Sequence, residues 1–180
     1  MNEKHDPYTA HRNNLESAIQ NYPYTVFLCG PTLSRRTKGS RLRAKVLNSL
    51  KDNGYTVVLG EDDGLEEPRL KLGADAHTNE ATFVKENHCQ AIVLIAASSP
   101  SALCELGLFS YLTTEIPNDI DFILIMERKY ENNQSYINVG PAQLVKSFGT
   151  VIFENFDTYD GTDIIKRLNT RRARMAVRGK

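Results

Sequence analysis

Five short apolar, β-rich runs, separated by stretches of helical period, constrain this chain more than any other feature. They fall at residues 24–29 (YTVFLC), 55–60 (YTVVLG), 90–97 (QAIVLIAA), 121–126 (DFILIM) and 150–153 (TVIF). The third and fourth are apolar without alternation, the pattern of strands covered on both faces. Between the runs, Leu42, Val46 and Leu50 with Leu47 form one apolar stripe, and Ala102, Leu103, Leu106 and Phe109 form another. Ile164, Ile165 and Leu168 begin a last helix, and residues 76–86 carry a weaker helical pattern. Pro141 after Gly140 suits the first position of a short helix carrying Leu144, Val145 and Phe148. Alternation of this kind predicts an α/β, flavodoxin/Rossmann-like open parallel sheet of about five strands. Right-handed crossovers favour the order 2-1-3-4-5, with helices on both faces.

Other folds and locations are excluded by what the chain lacks. No apolar run approaches the roughly 20 residues that cross a bilayer, and the opening MNEKHDPYTAHRNN has no signal-peptide core. Of the three cysteines, Cys29 and Cys89 sit in or beside apolar runs, which points to free thiols in a reducing cytoplasm. Neither His77, His88, Cys89 nor Cys104 has a partner at metal-ligand spacing, so no metal centre is expected. The length suits one α/β domain over 21–160, preceded by an N-terminal arm or helix over 1–20 and followed by a basic helix or tail over 161–180. That last segment holds Lys166, Arg167, Arg171, Arg172, Arg174, Arg178 and Lys180 against Asp163. The zero net charge therefore divides into an acidic body and a basic end. Two readings of that end stand open: a solvated helix terminus, or an arm docking on nucleic acid or an acidic partner, with Arg171 and Arg172 as test positions. No aromatics interleave with the arginines, which argues against stacking on single-stranded bases.

In a sheet of this order, ligands bind beyond the carboxyl ends of the first and third strands, where the winding reverses. The loop after the first run reads Cys29, Gly30, Pro31, Thr32, Leu33, Ser34, Arg35, Arg36, Thr37, Lys38. Gly30 allows close approach of the backbone to a ligand. The hydroxyls and cations precede the free N–H groups of a helix starting near Ser40, so the loop suits a phosphate. It lacks the Walker spacing, and a solvated basic turn is the competing reading. After the third run come Ser98, Ser99, Pro100 and Ser101, with Ser99 as cap and Pro100 at the first helical position. At about 100° per residue, Glu105 falls at the border of the buried face, on the side of Ser101. It is expected to look into the cleft, against the alternative of a solvated acid near a helix N-terminus.

C-G-P after the first strand and S-S-P-S-A-L-C-E-L-G-L-F-S after the third resemble the nucleoside 2-deoxyribosyltransferase-like superfamily. They are most similar to its N-glycosidase toxins and effectors of bacterial anti-phage systems, retrons among them. The resemblance runs over roughly 24–153, with Ser101 standing where the family often has Gly. It implies that Glu105 attacks the sugar C1′ or stabilises an oxocarbenium-like sugar, as the carboxylates of retaining glycosidases do. A nucleobase leaves poorly unless it is protonated or already cationic, so a second polar group is expected to hold the base. Asp62 and Asp63, in the loop after the second strand, are candidates beside Glu80, and an exposed acidic loop is the plainer alternative.

Arg35, Arg36 and Lys38 favour a phosphorylated substrate, a nucleotide or NAD, over a free nucleoside. No bound cofactor is expected. Nicotinamide is a cationic leaving group, so NAD needs least help from a second acid. A chain this short has no separate sensor, so the resemblance implies control by a partner or by self-assembly into an oligomer. Two other functions use the same features: a nucleotide sensor that does not cleave, and a regulatory subunit of a complex containing nucleic acid.

Overall fold

A computed structural model describes residues 6–62, 65, 67, 70, 71, 73, 75–86, 89–96, 99–115 and 120–178. Among these, five parallel strands form one sheet in the order β2-β1-β3-β4-β5. The strands are β1 (Thr25–Cys29), β2 (Thr56–Leu59), β3 (Ala91–Ala96), β4 (Asp121–Glu127) and β5 (Thr150–Glu154). This is the order expected for alternating strands and helices. The winding reverses between β1 and β3, which pair directly from Val26 with Ala91 to Cys29 with Leu94.

The helices are α1 (Pro7–Asn21), α2 (Lys38–Asp52), α3 (Ala76–Lys85), α4 (Pro100–Glu115), the short α5 (Tyr136–Val139), α6 (Pro141–Phe148) and α7 (Thr162–Arg178). Successive side chains of a strand point to opposite faces. Val26 and Leu28 of β1 accordingly join Leu42, Val46, Leu50, Ile164 and Leu168 in one core under α2 and α7. Phe27 and Cys29 join Val84, Leu106, Phe109 and Val145 in a second core under α3, α4 and α6. Phe27 meets Phe109 edge-on at 5.6 Å between ring centroids. Every residue of β3 is buried, as its unbroken apolar run predicts.

The basic end is part of this packing. Arg172 of α7 is 6% exposed. It donates to the carbonyls of Gln20, Tyr22 and Asn53, joining the ends of α1 and α2 to α7. Arg167 forks onto Asp121, at 2.7 Å from Nε and 2.6 Å from Nη2, and Arg171 stands 3.8 Å from the same carboxylate. Arg171 and Arg172 are therefore structural, and the exposed cations of α7 are Lys166, Arg174 and Arg178. The reason is local. An arginine on the inner border of an amphipathic helix can bury its stem and reach carbonyls or a carboxylate at the sheet's edge.

Candidate active site

A cleft of about 480 Å³ opens beyond the carboxyl ends of β1 and β3. Its floor is the β1 exit. There Gly30 takes φ +136°, and a Cβ would come within 2.9 Å of the Ile95 carbonyl oxygen. Only glycine fits such a position without strain. Cys29, Gly30, Pro31, Thr32 and Arg35 line this side of the cleft, and Ser99, Ser101 and Glu105 line the opposite side. The two sides meet because β1 and β3 are neighbours, not because the loops are close in sequence.

Ser99 caps α4, accepting from the Ala102 N–H at 3.4 Å, and Pro100 opens the helix. Glu105, in the second turn, has one carboxylate oxygen buried and without a hydrogen-bond partner. Burial raises its pKa to about 8, and the neighbouring Glu80 and Glu61 add to the rise. Arg43 and the Gly30 N–H pull the other way. Cys104, one residue earlier, is exposed on the outer side.

The acids facing Glu105 differ in part from expectation. Glu80 of α3 lines the cleft, and a Cβ at Gly60 would overlap its carboxylate. Burial raises the Glu80 pKa, with Glu61 adding to it and His77 and Arg43 opposing. Asp62 is turned away: it accepts the Leu59 N–H at 2.8 Å and closes the turn after β2. Its neighbour Glu61 lines the cleft instead. A short acid after a strand closes its own turn readily, while the longer Glu61 reaches Arg43. Asp63 and Ser98 lie outside the described residues, as do His88 and Ala97. Cys29 is buried beneath Glu105, and burial, then Glu105 and Glu80, hold its thiol well above the ordinary cysteine range. It packs there as a neutral thiol.

The β1 loop divides in two. Thr37 caps α2, its Oγ1 accepting from the Ser40 N–H at 3.1 Å. Ser34 meets Thr32 at 3.2 Å. Neither Ser34 nor the Arg36 side chain lines the cleft, and the Arg36 carbonyl receives Arg41. A second cavity of about 420 Å³ adjoins the first, sharing Pro31, Arg35, Ser99 and Pro100 with it. The α2 N-terminus, Lys38, Lys129 and Phe156 complete it. Lys38 pairs with Asp157 and Lys129 with Glu127. Arg35 has no ion pair among the described residues and borders both cavities.

The residue that sequence reasoning missed is Arg43. It is 2% exposed, forks onto Glu61 at 2.7 and 2.8 Å, and donates to the carbonyls of Leu28 and Pro31. A usable signal was present. Arg43, Val46, Leu47 and Leu50 follow the i, i+3, i+4, i+7 pattern of one buried face, and a cation there requires an acid.

The family model of STM3845 retron effector protein matches residues 40–178. The chain belongs to this retron effector family. The match begins at Ser40, within α2, and includes Arg43, Glu61, Glu80 and Glu105. The β1 loop precedes it. No curated protein matches the chain. Among the described residues of this retron effector, no group of three or more His, Cys, Asp or Glu is placed to hold a metal. No described helix is long and apolar enough to cross a membrane.

The cleft floor yields a direct expectation. Gly30→Ala, which combines positive φ with contact against Ile95, costs about 2 kcal/mol of stability. It also moves the N–H that faces Glu105. Thermal unfolding and any Glu105-dependent activity should fall together, and an unchanged melting temperature would show that the floor is not tight.

Proposed function

We propose that this retron effector acts in anti-phage defence as an N-glycosidase on a nucleotide or NAD, with Glu105 at the reacting sugar. The observation that carries the reading is the Glu105 carboxylate. It is buried at the switch point of the sheet, has an oxygen with no protein partner, and faces a second acid across a cleft sized for a nucleoside. In this reading the C1′–N bond breaks and its electron pair leaves with the base. Glu105, ionised, attacks C1′ or stabilises the oxocarbenium ion, and water completes hydrolysis. A neutral base requires a proton, and Glu80, whose pKa burial raises above the ordinary carboxylate value, is the acid placed to supply it. Nicotinamide leaves neutral without one.

The high pKa of Glu105 bears on the substrate. In the protein alone a carboxyl titrating near 8 is mostly protonated at neutral pH. A cationic nicotinamide ribosyl group bound beside it favours the ionised form, so NAD suits the site better than a neutral nucleoside. The value of kcat/KM should rise about tenfold per pH unit below pH 8 and level off above it. A flat profile from pH 6 to 9 would separate catalysis from Glu105 ionisation.

The second cavity supports a substrate with phosphates. Arg35 stands between the chambers, and the α2 N-terminus lies beyond it. Arg35→Ala should raise KM for NAD about tenfold, the loss of one charge-assisted hydrogen bond, and leave KM for nicotinamide riboside unchanged. Equal effects on both substrates would remove the phosphate assignment.

The test of the function is chromatographic: purified protein, with and without its retron partners, is incubated with NAD and a panel of nucleotides, and released base is measured. Release that requires Glu105 supports the glycosidase. Saturable nucleotide binding without release under any condition favours a sensor. Control by a partner within the retron is part of the proposal. Lys166 and Arg174, which line a groove on α7, offer that partner an exposed basic face, so charge reversal should be made there and not at Arg171 or Arg172.

A further inference from the structure

Arg43 sits where three parts of the cleft meet. From α2 it donates to the Leu28 carbonyl in β1 at 2.8 Å and to the Pro31 carbonyl in the β1 loop at 3.3 Å. Its fork holds Glu61, two residues past the end of β2, by bonds of 2.7 and 2.8 Å. An arginine so buried needs both its acid and its carbonyls. Glu61 is 41% exposed at the rim, so the acid is held from below and is open to solvent above.

We propose that Arg43, through its fork with Glu61, is a positioning residue that fixes the β1 and β2 loops about the cleft and sets the charges that face the Glu105 carboxyl. Both terminal nitrogens of the guanidinium are taken by Glu61 and two carbonyls, and Nε is buried without a partner, so Arg43 acts through these groups and not on substrate. It rests on the reading of Glu105 as the reacting carboxylate, but its first test does not.

The electrostatics are those of a four-group cluster. Glu105 is faced by Glu80 from α3, Arg43 from α2, Glu61 from the β2 loop and the Gly30 N–H from the β1 exit, with the Cys29 thiol below. Arg43 is the cation of this set. Without it, the buried Glu105 and Glu80 carboxyls and the rim charge of Glu61 face one another with no cation in the set, and the ionised form of Glu105 is disfavoured. Without the Glu61 charge, Arg43 acts on Glu105 with less compensation. The two partners of one ion pair should therefore move Glu105 in opposite directions, which a merely structural role does not require.

The experiment follows the Glu105 side-chain carboxyl by 13C NMR across pH 5 to 10 in the full chain, with Glu105→Gln identifying the signal. Arg43→Met should raise the pH at which Glu105 titrates, and Glu61→Gln should lower it, each by about one unit. Arg43→Lys keeps the charge and should titrate close to the unaltered protein. Titration at one pH in all variants, or movement of both in the same direction, would overturn the proposal. If Arg43→Met does not fold, the downward movement in Glu61→Gln decides alone, because the glutamine amide oxygen still accepts from the Arg43 guanidinium. The same variants are assayed for base release from NAD, where the acid limb should track the NMR titration. Opposite NMR shifts with no base release from the unaltered protein would leave the positioning role standing and remove the glycosidase reading.

Discussion

On the proposed mechanism, Glu105→Gln should cut base release by about a thousandfold or more, and it should leave the protein folded and more stable in alkali. Glutamine keeps the shape of the side chain and removes the negative charge that the oxocarbenium ion needs. The stability effect has a definite sign. The folded-state pKa is raised to about 8 from an ordinary 4.5, so the native protein holds this proton more tightly than the unfolded chain. That contribution is complete below about pH 4.5 and is lost as pH rises to about 8. A glutamine cannot ionise, so the variant escapes the loss. At pH 8.5 it should melt about 10 °C above the unaltered protein, and near pH 4.5 the two should coincide. Calorimetry at the two pH values, run beside the base-release assay, checks both halves. Persistent release in the variant would assign the chemistry to another group. A melting temperature lower than that of the unaltered protein at pH 8.5 would show that Glu105 is not a buried acid.

Arg167→Met is expected to destabilise the protein by about 3–5 kcal/mol, lowering the melting temperature by about 10 °C. Asp121 opens β4 and is 0% exposed, and Arg167 supplies the two short bonds that compensate its burial. Removing the arginine leaves a buried carboxylate with Arg171 at 3.8 Å. The double variant Asp121→Asn with Arg167→Met should recover much of the loss, because no uncompensated charge remains. Equal melting of single and double variants would mean that the pair contributes nothing specific. The consequence for function is direct. A fall in partner binding after substitution of Arg167, Arg171 or Arg172 reflects folding, whereas Lys166 and Arg174 test the exposed face of α7.

The fold was legible because its signals are local and repeated. The apolar run of β3 and its burial on both faces are one fact seen twice, and Thr37, Ser99 and Pro100 mark helix starts through hydrogen bonds within a few residues. The inward direction of Glu105 follows from its angle on α4, since a helix carries side-chain direction along its own period. The acids after β2 were less legible. Three carboxylates in a row look alike in sequence, and the choice between Asp62 and Glu61 depends on which one Arg43 can reach.

The sequence by itself determined the strands, their winding, the end of the sheet at which the cleft opens, and the carboxylate on α4. Tertiary structure alone decided the partners of the charges. Arg43 meets Glu61, Arg167 meets Asp121, and Arg172 meets carbonyls from α1 and α2. Hydrophobic burial repeats with the period of the element and so leaves a pattern in the chain. An ion pair across 18 or 46 residues is a single contact, set by where the sheet brings two helices against a loop and the start of a strand, and it leaves none.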